Sequence, residues 1–138
     1  MVILNRLLGL ALLPALLVAP SQADSLTSGQ FGAIFCMSRL SGDMAPVLAI
    51  LTPELTDLVG KADPAQVRWQ GKPDYAAMCQ PVGAAGTAER PEIILSYQYR
   101  EPDKANFSDR LVTVFVDGRL RLDDILFADK TSLRDSLS

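Results

Sequence analysis

The sequence predicts an α+β domain in which N-terminal helices pack on a curved antiparallel sheet. Apolar residues recur every three or four positions up to Gly60 and every second position after Pro91. Asp117-Gly118 stands between two apolar runs, and this pair favours a type I′ hairpin because both of its positions tolerate positive φ. Cap residues and first-turn prolines punctuate the first part of the chain where helices would start.

Residues 1–23 have the form of a cleaved signal peptide. Arg6 supplies a short positive region, residues 7–19 an apolar run broken once by Pro14, and Ser21-Gln22-Ala23 a small-x-small cleavage site. The run is too short to remain as a membrane-spanning helix, and no cysteine stands at the cut to take a lipid. Residues 24–138 are therefore expected to form a single soluble domain, periplasmic or secreted, with no membrane anchor after cleavage. Every acid lies after the cut and only Arg6 of the thirteen bases lies before it, leaving sixteen acids against twelve bases. The bases are scattered singly among carboxylates, which argues against nucleic acid as a partner.

Within residues 28–40, Phe31, Ile34, Phe35 and Leu40 mark a first helix that carries Cys36 and ends at Ser41-Gly42. Asp43 is expected to cap a second helix, with Pro46 in its first turn and Val47, Leu48, Ile50 and Leu51 facing inward. Thr52-Pro53-Glu54 repeats that grammar for a short third helix, stopped by Gly60, with fusion to the second helix through a kink as the alternative. Residues 61–91 hold Pro64, Pro73, Pro81 and Pro91 with three glycines and are read as a loop. Within it, residues 67–70 hint at a strand and residues 75–78 at one helical turn delivering Cys79. Cys36 and Cys79 are the only cysteines of an exported chain, so a disulfide between them is expected to pin this loop.

Residues 93–100 alternate, with Ile93, Leu95, Tyr97 and Tyr99 on one face. A turn through residues 101–104 leads to a strand over residues 110–116, and the Asp117-Gly118 hairpin returns the chain over residues 119–127. Asp123-Asp124 interrupts the alternation of Leu120 and Leu122, predicting a bulge. Leu133 and Leu137, four apart, predict a closing helical turn.

The tail from Gly118 through Leu120, Asp123-Asp124-Ile125 and Phe127, followed by Thr131-Ser132-Leu133-Arg134, resembles the last strand and closing segment of small exported proteins of the NTF2-like superfamily. The likeness covers residues 93–138 best. It implies a cone-like curved sheet wrapped around a long helix, here reduced by the loop-rich middle, and it implies no particular reaction.

The chain has no histidine, which removes Ser-His-Asp and Cys-His catalysis, histidine metal sites and the usual general base near neutral pH. No phosphate loop, dinucleotide fingerprint or zinc spacing is present, so no cofactor or metal is expected. Asp117, Asp123, Asp124 and Asp129 lack the EF-hand pattern. Tyr97 and Tyr99 share a strand face, and Asp74-Tyr75 lies in the loop. In steroid-isomerase-like members of the resembled superfamily an aspartate and a tyrosine work in the pocket, yet strand tyrosines usually pack. Asn106-Phe107-Ser108 is a formal glycosylation sequon. Trp69 is either a plug over the core or, with Tyr75, an aromatic anchor for a partner. The expected function is a non-enzymatic binding or accessory module acting through a protein partner or a small apolar ligand, with a pocket enzyme using a buried carboxylate and Tyr as the alternative. Intact mass of the exported product is expected to show a chain beginning at Asp24; residues 1–23 retained on a membrane-bound protein would contradict the leader reading.

Overall fold

The computed structural model describes residues 25–138; the expected leader and its expected cleavage site lie outside the described residues. The chain is α+β, with helices first and a four-stranded antiparallel sheet after them. Helix α1 spans Ser28–Ser41, α2 Ala45–Leu48 and α3 Pro53–Lys61, followed by a 3-10 turn at Pro64–Gln66. The sheet is a meander in the order β1 (Met78–Gly86), β2 (Pro91–Gln98), β3 (Phe107–Val116) and β4 (Arg119–Leu126), and α4 (Leu133–Leu137) closes it.

Helix α1 begins where Thr27 and Gln30 cap each other. The Thr27 hydroxyl accepts from Gln30 N at 3.1 Å, and the Gln30 side chain accepts from Thr27 N at 3.0 Å. It ends at Gly42, whose φ of 83° is the left-handed conformation that favours glycine. Phe31 and Phe35 are fully buried against the sheet. Gly32 lets the helix come close, because a Cβ there would stand 3.0 Å from Pro81 and 3.1 Å from Ile93. The expected bridge between Cys36 and Cys79 is present, with Cα atoms 5.2 Å apart, and it fastens α1 to β1.

Several expected elements differ. The second helix is one turn long, because the chain leaves it to pair with the sheet: Leu51 bridges Leu122 in parallel, with Leu122 N donating to Ile50 O and Thr52 N to Leu122 O. That pairing also keeps α2 and α3 from fusing. Leu48, expected inward, is 46 % exposed, while Val47 and Leu51 are buried. Helix α3 runs through Gly60 to Lys61, supported by an exposed Lys61–Asp57 pair one turn apart. Residues 67–70 form no strand and residues 75–78 no helical turn. Instead Met78 begins β1, so Cys79 belongs to the sheet and not to the loop. Its Pro81 and Gly83 are tolerated because β1 is an edge strand that shifts register between them, leaving Val82 as the extra residue.

The hairpin is as the sequence predicts. Asp117 has φ of 53° and Gly118 of 77°, and the register slips at Asp123, between Val112 and Thr113 on the partner strand. Strand β3 starts three residues earlier than expected, at Phe107. This puts part of the sequon into the sheet: Phe107 is buried, and Asn106 Oδ1 accepts from Tyr99 N at 3.0 Å. Leu133 is fully buried beneath β4, with Leu137 packed at the edge of the same core. The core lies between α1, α3 and one sheet face, where Leu55, Leu95, Leu111, Leu122 and Ile125 have no exposed surface.

The bridge closes a 43-residue separation, for which chain entropy sets a stabilisation of about 4 kcal/mol as an upper value. Replacing both Cys36 and Cys79 by Ala is expected to remove about 2–4 kcal/mol in urea unfolding; a change under about 0.5 kcal/mol would show that β1 and α1 hold each other without it.

Candidate functional site

The chain between α3 and β1 gains its shape from long-range bonds. Gly71 N donates to Asp109 Oδ2 at 2.6 Å, and Ala128 N donates to Asp109 Oδ1 at 3.0 Å. Asp109 projects inward from β3 between Phe107 and Leu111 and is 1 % exposed. One carboxylate thus fastens both the 64–75 segment and the turn after β4. Arg68 fastens the same two segments from outside, donating to Gly71 O at 2.7 Å, Thr131 Oγ1 at 2.9 Å and Asp129 Oδ2 at 2.9 Å, with its guanidinium 4.1 Å above the Phe127 ring.

Gln70 continues the arrangement. It is 3 % exposed, and its amide nitrogen donates to the carbonyls of Lys72 and Asp74, both at 2.9 Å. Its oxygen is thereby turned to Arg39, whose Nε donates to it at 2.8 Å. Arg39 follows Phe35 by four residues and so stands on the buried side of α1, at its last turn. Burial lowers its pKa, but a guanidinium remains cationic.

The sequence-predicted residues are distributed around this arrangement. Trp69 is 9 % exposed and belongs to the core cluster. Tyr75 is 64 % exposed, with the Arg39 guanidinium 5.7 Å from its ring centre. Tyr97 is fully buried, stacks on Phe107 at 4.5 Å, and its hydroxyl has no hydrogen-bond partner among the described residues. Tyr99 lies beyond the end of β2 and donates to Asp74 O at 2.9 Å. The structure therefore brings Trp69 and Tyr75 to one groove, buries Tyr97 beneath it, and uses Tyr99 to tie down its far side. The groove is about 590 Å³ and lies between the end of α1 and residues 64–75. A second, apolar groove of about 480 Å³ runs beside it past Met44, Leu48, Val59 and Trp69.

Asp109, Gln70, Arg39 and Lys72 are absent from the residues singled out in the sequence. Two of them leave a trace there: Asp109 continues the period-two alternation back from Leu111 to Phe107, and Arg39 continues the Phe31–Phe35 stripe. Each is a charge on an apolar face. The aspartates weighed as a cation site are engaged otherwise. Asp123 takes Arg134 at 2.7 Å and Arg90 at 3.1 Å, and Asp129 takes Arg68. Among the described residues no group of three or more acidic, His or Cys residues is placed to hold a metal, and no helix is long and apolar enough to cross a membrane. Comparison with known protein families, curated proteins and solved structures finds no match for the chain.

Burial pushes the Asp109 carboxyl up to about 6, against the pull of the Gly71 and Ala128 amides. Burial, and then the Asp109 charge, also raise the Tyr97 phenol. The folded chain thus holds the Asp109 proton more tightly than the unfolded chain. This group's contribution to stability is full below about pH 4 and is lost as pH rises through 6. Asp129 has the opposite sign: hydrogen bonds from Thr131 and then Arg68 hold it at about 2, so its contribution is lost only as pH falls below about 4. The stability of the wild type relative to Asp109→Asn is expected to fall by up to about 3 kcal/mol between pH 4 and 7; a pH-independent difference would contradict the assignment. Gly71→Ala would set a Cβ 2.6 Å from Asp109 Oδ1, and denaturant unfolding is expected to register a loss of about 1–3 kcal/mol.

Proposed function

We propose that the chain is an exported, non-enzymatic binding or accessory module on a reduced NTF2-like cone, acting through a protein partner or a small apolar ligand. One observation carries this reading. The face of the sheet that would line a catalytic cone is filled by Phe31, Phe35, Tyr97 and Leu111, while accessible space lies outside it, at the groove flanked by Tyr75 and at the apolar groove beside that one. A filled interior offers a substrate no place near the buried polar groups. A groove whose wall is tied to the sheet by Asp109, Arg68 and Gln70 presents surface at low ordering cost. Export rests on the leader and agrees with the disulfide, since such bonds persist in oxidising compartments.

A second reading, an isomerase- or dehydratase-like enzyme, is favoured by one observation, a buried Asp109 raised to about 6 near a buried Tyr97. It requires an opening that reaches Asp109, which is 1 % exposed.

Crosslinking capture from the native host's exported fraction separates these readings. Tyr75→Ala is expected to weaken capture at least about tenfold while changing stability by less than about 0.5 kcal/mol. Trp69→Ala is expected to lose about 3–5 kcal/mol of stability, because most of its surface is in the core. Capture indifferent to Tyr75, together with turnover of a substrate that disappears in a folded Asp109→Asn protein, would replace the binding module by the enzyme.

A further inference from the structure

The groove between α1 and residues 64–75 has a charge opposite to that of the chain. Arg39, Arg68 and Lys72 line it, and no carboxylate does, although acids outnumber bases in the sequence. Arg68 is neutralised by Asp129 at 2.9 Å. Arg39 and Lys72 have no carboxylate within ion-pair distance among the described residues. Lys72 donates to Ala105 O at 3.0 Å and sits 5.6 Å from the Phe107 ring centre.

Arg39 is held in one place. Its Nε donates to Gln70 at 2.8 Å, one Nη to the weakly accepting sulfur of Met44 at 3.4 Å, and the Tyr75 ring covers it. Gln70 cannot turn away, because reversing its amide would set its oxygen against the carbonyls of Lys72 and Asp74. A guanidinium has five N–H donors, and most of those of Arg39 find no acceptor among the described residues. A half-buried cation of this kind is poorly hydrated, and an anion of matching planar shape restores its hydrogen bonds two at a time.

We infer that this groove binds an organic carboxylate. Arg39 takes the carboxylate, Lys72 adds a second charge, and Tyr75 and the exposed edge of Trp69 flank a flat apolar body. The carboxylate belongs either to a free small molecule or to an acidic side chain displayed by a protein. The inference deepens the binding-module reading and rests on it for the groove being the contact surface.

Trp69 is the single tryptophan and lines the groove, so its emission reports occupancy. The mature protein is titrated with benzoate, with the neutral benzamide, and with a blocked glutamate-containing tripeptide. Benzoate, the peptide or both are expected to give a saturable change that weakens with salt and weakens about tenfold or more in Arg39→Gln, while benzamide gives none. Should Arg39→Gln fail to fold, Lys72→Gln is expected to weaken the same titration by about threefold or more, as loss of one neighbouring charge. Benzoate alone identifies a small-molecule ligand, and the peptide alone a protein-borne carboxylate. No saturable change with either, or equal binding of benzamide, overturns the inference. If capture still depends on Tyr75 in that case, the binding module stands without the carboxylate site. If carboxylates bind and no partner is captured, the carboxylate site stands and the protein-partner reading falls.

Discussion

The arrangement of the candidate site depends on one buried charge. Asp109 stands on the inner face of β3 and accepts from the amides of Gly71 and Ala128. Without it, two backbone donors would lie against the sheet with no acceptor, at about 1–3 kcal/mol each. Keeping a carboxylate there has its own cost, visible in a carboxyl raised to about 6. The bonds offset part of that cost, and the 64–75 segment is shaped as a result. Only glycine fits at position 71, because a side chain would occupy the space of the carboxylate it binds.

From that contact the groove is assembled stepwise. Gly71 in place sets Gln70, Gln70 turns its oxygen to Arg39, and Arg39 stands beneath the exposed ring of Tyr75. The opposite wall is α1, whose own position is fixed by the bridge to β1 and by the close approach at Gly32. The far end of the sheet has an analogous tie. Asp123, at the β4 bulge, joins Thr52, Arg90 and Arg134. Burial alone would raise its pKa, but the bonds from Arg90 and Arg134 prevail and hold it below the usual carboxylate range. The two aspartates therefore differ in kind: Asp123 is matched by cations, whereas Asp109 is matched chiefly by backbone amides, with Arg68 a lesser influence.

What was legible in the sequence is what local chemistry decides. Helix α1 with its Gly42 stop, the Pro53 start of α3, the alternation of β2, the Asp117-Gly118 turn and the Asp123 bulge each follow from a few neighbouring residues. The α+β class and the Cys36–Cys79 bridge follow from order and parity. Strand β1 was hidden because Pro81 and Gly83 weaken any strand signal and are accepted only at an edge. Helix α2 looked longer because nothing local announces that Leu51 will pair with Leu122. The site was the least legible part, since its bonds join residues 31, 38 and 61 positions apart. Trp69 and Tyr75 stand out in the sequence as the aromatics of a Pro/Gly-rich stretch, and both line the groove, while the charges around them stand out only once Arg39 and Asp109 are seen on apolar faces.

Amide hydrogen exchange on wild type and Asp109→Ala, compared residue by residue, tests this account most directly. In the wild type, Gly71 and Ala128 amides are expected to exchange slowly. In the variant both are expected to lose protection together with residues 64–75, while the amides of β2 and β3 stay protected. Gly71 and Ala128 remaining protected without the carboxylate would contradict the claim that Asp109 holds the groove in place.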